Sequence, residues 1–111
     1  MYLSYIERCR RLFQEGVTPS NVDYRNTDSF NEFLGFVKEE VETNGLESFY
    51  AYTLDGQYYI NLWTSHFIIE FYSPINEIKE ECLKIINRYA NGKLNRKVAD
   101  EEKVWLNFYS N

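Results

Sequence analysis

Apolar side chains near the N-terminus fall at Tyr2, Tyr5, Ile6, Cys9, Leu12 and Phe13, the spacing of one face of a helix. Glu7, Arg8, Arg10, Arg11 and Gln14 fill the other side, which predicts an amphipathic helix closed by Gly16. Val17 to Asn26 has turn composition and reads as a connection. A second helix is predicted from about Thr27, with Ser29 and Glu32 as a capping box. Its buried stripe is Phe30, Phe33, Leu34, Val37 and Val41, and Asn44-Gly45 supplies a left-handed stop. Glu32, Glu39 and Glu42 lie opposite that stripe.

From Ser48 to Tyr72 the period changes to two. Asp55-Gly56 stands between two runs rich in aromatic and β-branched residues, a strong hairpin signal because a type I′ turn requires positive φ at both central positions. Pairing residue 54 with 57, and placing a second turn at Thr64-Ser65, gives three antiparallel strands. One face carries Phe49, Ala51, Thr53, Tyr58, Ile60, Leu62, Phe67, Ile69 and Phe71, and is expected to be the core. The other carries Ser48, Tyr50, Tyr52, Tyr59, Asn61, Trp63, His66, Ile68, Glu70 and Tyr72. Neither Thr64 nor Ser65 favours positive φ, and a slip of one residue would exchange the faces of the third strand.

Ser73-Pro74 predicts the next helix start, with Ser as N-cap and Pro in the first turn. Ile75, Ile78, Cys82, Ile85, Ile86 and Tyr89 form its stripe, and Asn91-Gly92 ends it. Val98, Glu102, Trp105, Leu106 and Tyr109 fit a last helix, while residues 103–109 also fit a fourth strand. The helix is preferred because the acids Asp100 to Glu102 come early in it. The expected order is ααβββα plus a terminal element. That is one α+β domain over residues 1–111, a three-stranded antiparallel meander packed with three to four helices.

A chain of 111 residues can remove roughly two-thirds of its unfolded surface from water, so neither metal nor disulfide is needed to hold it. No stretch approaches the ~18 apolar residues of a membrane span, and the N-terminus lacks a basic segment followed by an apolar one. Cys9 and Cys82 lie far apart without a C-x-x-C spacing, so a cytosolic protein with reduced, buried thiols is expected. The net charge is −5, and its distribution says more than its total. Residues 23–55 hold Asp23, Asp28, Glu32, Glu39, Glu40, Glu42, Glu47 and Asp55 against only Arg25 and Lys38. Such a concentration disfavours nucleic acid and anionic lipid as partners and suits a basic one.

Catalytic signals are sparse. His66 is the single histidine, which rules out a site built from several histidines. Cys9 would need that histidine beside it to act as a nucleophile. Carboxylate runs such as Glu39, Glu40 and Glu42 are usually solvated faces, and no glycine pattern forms a phosphate loop. An inactive, cofactor-free and metal-free chain is expected. The aromatic sheet face is the feature that exceeds background, because Tyr and Trp are favoured anchors in protein interfaces. A covering helix would bury part of it.

In size, acidity and general make-up the chain resembles the small immunity proteins of bacterial toxin systems, of contact-dependent and colicin-like types. The stretches Asn61 to Tyr72 and Glu101 to Leu106 share that texture, without a defining motif. The resemblance implies a monomer or weak dimer that binds a cognate basic toxin domain, such as a nuclease, and blocks its active site. Glu39, Glu40, Glu42, Glu47 and Glu70 would then steer the toxin. Tyr50, Tyr52, Tyr59 and Trp63 would anchor it. The alternatives are a phage-type inhibitor or nucleic-acid mimic, a homo-oligomeric adaptor and, with no recognisable site, a small hydrolase.

Overall fold

A computed structural model describes residues 3–110. Among these there is no strand, and the expected three-stranded meander is overturned. The chain folds as seven α-helices: α1 (Tyr5–Gln14), α2 (Val22–Arg25), α3 (Asp28–Asn44), α4 (Leu46–Tyr50), α5 (Ile60–Phe71), α6 (Asn76–Ala90) and α7 (Arg96–Tyr109). Two short 3-10 helices, Ala51–Leu54 and Gln57–Tyr59, join α4 to α5.

The helices outside residues 46–72 follow the sequence pattern. Ser4 and Glu7 form a reciprocal capping box at α1, and Gly16 turns the chain away with φ 78°. Tyr2 lies outside the described residues. At α3 the cap is Thr27, whose hydroxyl accepts from Phe30 N at 3.2 Å. This replaces the expected box at Ser29 and Glu32, whose side chains turn to Tyr24 and Arg8 instead. Gly45 ends α3 where expected, its N–H donating to Val41 O, but with φ 90° and ψ 155° it lies outside the expected left-handed helical region. The helix predicted at Ser73-Pro74 begins later, at Asn76, without a side-chain cap. The last element is a helix, capped by Asn95 through Val98 N.

The predicted strands are really α4, the 3-10 turns and α5, and α5 is the centre of the fold. Ile60, Leu62, Trp63, Thr64, Ser65, His66, Phe67 and Ile68 are all buried. On one side Ile60, Trp63, Phe67 and Ile68 join Tyr5, Cys9, Phe30, Phe33, Phe36, Val37 and Phe49 in the main core. On the other, Leu62 meets Ile86 of α6 and Val98 of α7. A helix covered on every side needs apolar residues all round, so its 3.6-residue period disappears and aromatic-rich segments imitate strands. Thr64 and Ser65, expected in a turn, are inside this helix. Their hydroxyls donate to Ile60 O at 2.7 Å and Asn61 O at 2.8 Å, which satisfies them without water. Thr64 also meets the Tyr5 hydroxyl at 2.9 Å.

Asp55-Gly56 does form a turn, but one that starts a helix. The Asp55 carboxylate accepts from Gln57 N, and its carbonyl accepts from Asn61 N at 2.9 Å, meeting one of the orphan donors of α5. Positive φ falls two residues later, on Tyr58 (52°) and Tyr59 (56°), while Gly56 stays at −86°.

Candidate partner-binding surface

The last two turns of α3 carry Glu39 and Glu42 exposed, with Glu40 half-buried between them. No basic residue stands in the last turn of α3, where the partial negative end of the helix would favour one. A groove of about 430 Å³ beside this helix end is lined by Phe36, Glu39, Glu40, Glu42, Thr43 and Asn44. Glu47, on α4, is also exposed. Across from it α6 contributes Glu77 and Glu81. Burial raises the pKa of the half-buried Tyr50 hydroxyl, and the charges of Glu81 and Glu77 add to that rise. Tyr50 is thus set among carboxylates drawn from α4 and α6. Tyr72 is raised in the same way, by burial and then by Glu42.

The expected partner-binding residues therefore divide. Glu39, Glu40 and Glu42 line the groove at the end of α3, whereas Glu47 and Tyr50 line a second groove with Glu81 of α6. Tyr52 is half-buried and packs on Tyr5 and Phe49, with ring centroids 4.7 and 5.8 Å away. Tyr59 is half-buried on another side, against Phe13 and Tyr89. Trp63 is 1% exposed and wedged between Phe33 and Tyr24, so it has no surface to offer a partner. Its placement on an exposed strand face is corrected by the helix that carries it. Glu70 is committed internally, because Arg25 grips both its oxygens, at 2.7 and 2.9 Å.

Glu70 belongs to a buried polar cluster that periodicity could not reveal. His66 is 1% exposed, and its Nδ1 lies 2.9 Å from Glu70 Oε2. Its Nε2 lies 2.6 Å from Glu102 Oε1 and 3.0 Å from Ser20 Oγ. Burial lowers the His66 pKa, but the bonds and charges of Glu102 and Glu70 outweigh this and hold it above its ordinary value. Burial raises Glu70, yet His66 and Arg25 pull it down to about 2. Arg25 also donates to Pro19 O at 2.7 Å, and Thr18 donates to Glu101 at 2.6 Å. Four segments meet here: the loop before α2, α2 itself, α5 and α7.

Ser20, His66 and Glu70 have the contact order of a nucleophile, a base and an orienting acid. The second carboxylate changes the chemistry. With a carboxylate on each ring nitrogen, neither is free for Ser20 alone: Nε2 is shared between Glu102 and Ser20, and Nδ1 is held by Glu70. The arrangement suits a structural clasp. Both thiols are likewise unreactive, with burial pushing Cys9 to about 12 and Cys82 to about 11. Among the described residues no group of three or more His, Cys, Asp or Glu side chains could hold a metal ion, and no helix is long and apolar enough to cross a membrane. No protein-family model, curated protein or solved structure matches this chain.

Proposed function

We propose that the protein is a non-enzymatic inhibitor of the immunity type, which docks its α3–α4–α6 edge on a basic toxin domain and covers that domain's active site. One observation carries the reading: Glu47 of α4 and Glu81 of α6 line one groove with the half-buried Tyr50, while Glu39, Glu40 and Glu42 line another at the end of α3. Glu42 sits against the α3 dipole, an arrangement that costs a few tenths of a kcal/mol and is of no use to the fold. On a cationic partner the same charges accelerate encounter and pair with Lys and Arg. Tyr50 supplies the rigid amphipathic contact that interfaces favour.

The test is binding kinetics against the product of the adjacent reading frame, at low and high ionic strength. Reversing Glu39 and Glu42 to Lys is expected to slow association mainly, with the loss shrinking as salt screens the field. Tyr50→Ala is expected to speed dissociation by about 2 kcal/mol, as for an interface hot spot. Unchanged rates for both variants on a partner that does bind would move the interface elsewhere. No binding at all would remove the inhibitor reading. A second reading, self-association, is favoured by Val104 and Phe108, one turn apart on α7 and 54% and 74% exposed. Sedimentation that shows a dimer lost on Phe108→Ser would support it.

A further inference from the structure

A trough of about 530 Å³ opens beside the N-terminus of α5, lined by Tyr59, Asn61, Arg88, Tyr89 and Asn95, with Leu94 at its rim. Its volume lies within the range of small-molecule sites. Its chemistry is the reverse of the acidic edge. The chain carries seventeen Asp and Glu residues, yet none lines this trough. Among the described residues Arg88 has no carboxylate partner. The segment that closes the trough, from Arg88 to Lys97, adds Lys93, Arg96 and Lys97 without an acid.

The walls are fixed. Tyr59 and Tyr89 meet edge to face, with centroids 5.9 Å apart. Tyr89 donates to Asn61 Oδ1 at 2.7 Å, and Asn95 donates to the Tyr59 hydroxyl at 3.0 Å. Asn95 also caps α7, so its carbonyl oxygen is occupied. With its oxygen taken by Tyr89, Asn61 has only its NH₂ to offer. Gly92 passes so close to α6 that a Cβ would lie 3.3 Å from Tyr89 O, which ties the loop down. Tyr59 stands in the left-handed region next to a second left-handed tyrosine. Each such residue costs of order 1 kcal/mol or more, a strain that recurs in ligand clamps. Phe13 helps to hold both rings, at 5.6 and 5.3 Å.

A cation or a sugar would call for carboxylates, and a wholly apolar ligand would leave Arg88 and the amides unused. We infer that this trough binds a small molecule made of a planar ring and an anionic group, such as a nucleotide or an aromatic acid. The ring packs on Tyr59 and Tyr89, the anion pairs with Arg88, and the Asn61 amide donates to the ligand. The site does not rest on the partner-binding reading: no carboxylate lines the trough, although Arg88 and Asn61 also border the groove of Glu47, Tyr50 and Glu81.

The test is NMR titration of the full chain with four probes: adenosine 5′-monophosphate, 4-hydroxybenzoate, adenosine and inorganic phosphate. At least one ring-bearing anion is expected to bind and to shift the Asn61 and Asn95 side-chain amides. That probe should bind about tenfold or more tightly than adenosine or phosphate, a ratio in keeping with one charge-assisted contact. A response to the monophosphate alone, or to the benzoate alone, identifies the anion. Arg88→Gln, at an exposed position, should remove the advantage over adenosine, and Val22→Ala, on exposed α2 and outside the trough, should leave binding intact. The inference is overturned if neither ring-bearing anion binds at millimolar concentration, if phosphate alone binds as well, if the shifts map elsewhere, or if Arg88→Gln changes nothing.

Discussion

His66 is where a single side chain decides most. Its imidazole joins Glu70, Glu102 and Ser20, with His66 and Glu102 themselves buried. Removing one partner leaves the opposing charge buried, so His66→Ala or Glu102→Ala should lose about 3–5 kcal/mol in denaturant unfolding. The pH dependence follows from the two shifts. The raised His66 pKa adds stability that is complete below about 6.5 and fades as pH climbs through the folded value. The depressed Glu70 pKa adds stability present above about 4.5 and lost as pH falls toward 2. The unfolding midpoint should therefore be highest between about pH 4.5 and 6.5 and decline on both sides. His66→Gln should flatten the alkaline limb. The thiols offer a second check at this scale. Cys9 and Cys82 should resist a thiol reagent in the native protein and react at once in denaturant.

At the level of elements, α1, α3, α6 and α7 were legible because each buries one stripe and leaves the other side in water. Phe30, Phe33 and Val37, or Cys82, Ile85 and Ile86, mark their faces directly. Helix α5 was not legible, because its neighbours surround it. Its tryptophan and its histidine are as buried as its isoleucines, so no face remained to set a period. Phe49, Ile60, Leu62 and Phe67 are core residues as expected, but the helix brings Trp63, His66 and Ile68 in with them. Truncating Ile60 or Leu62 to Ala should cost about 2–5 kcal/mol, and Trp63→Ala about 3–5. A loss confined to Ile60 and Leu62 would restore the two-faced strand, whereas comparable losses at Ile68 belong to a helix covered all round. The candidate surface was partly legible. The acids of α3 and α4 and the side chain of Tyr50 were readable as solvated chemistry. The share of Glu77 and Glu81 depends on α6 packing beside α4, which no local pattern encodes.

Across the whole molecule, acidic and basic regions adjoin. Carboxylates from α3, α4 and α6 line two grooves, and Arg88, which borders the groove of Glu47 and Glu81, begins a cationic stretch to Lys97 beside the tyrosine trough. Two such poles, meeting at Arg88, allow one surface to meet a protein and the other a small anion. Raising the salt should weaken both contacts. Its effect on the tyrosine contribution should be small, because ring packing is not a charge interaction. A ligand-induced change in the partner's off-rate would show that the two poles communicate. Independent rates would show that they act separately.

The polar clasp has a consequence for how the chain opens. Thr18 and Ser20 near its beginning are bonded to Glu101 and, through His66, to Glu102 near its end. Neither terminal region can leave without exposing charges held by the other. Native-state hydrogen exchange should accordingly find the amides of α5 and α7 released in one concerted event, rather than by fraying of the last helix. A chain cut before Arg96 would lack the Glu101 and Glu102 half of the clasp, and α5 should then exchange freely.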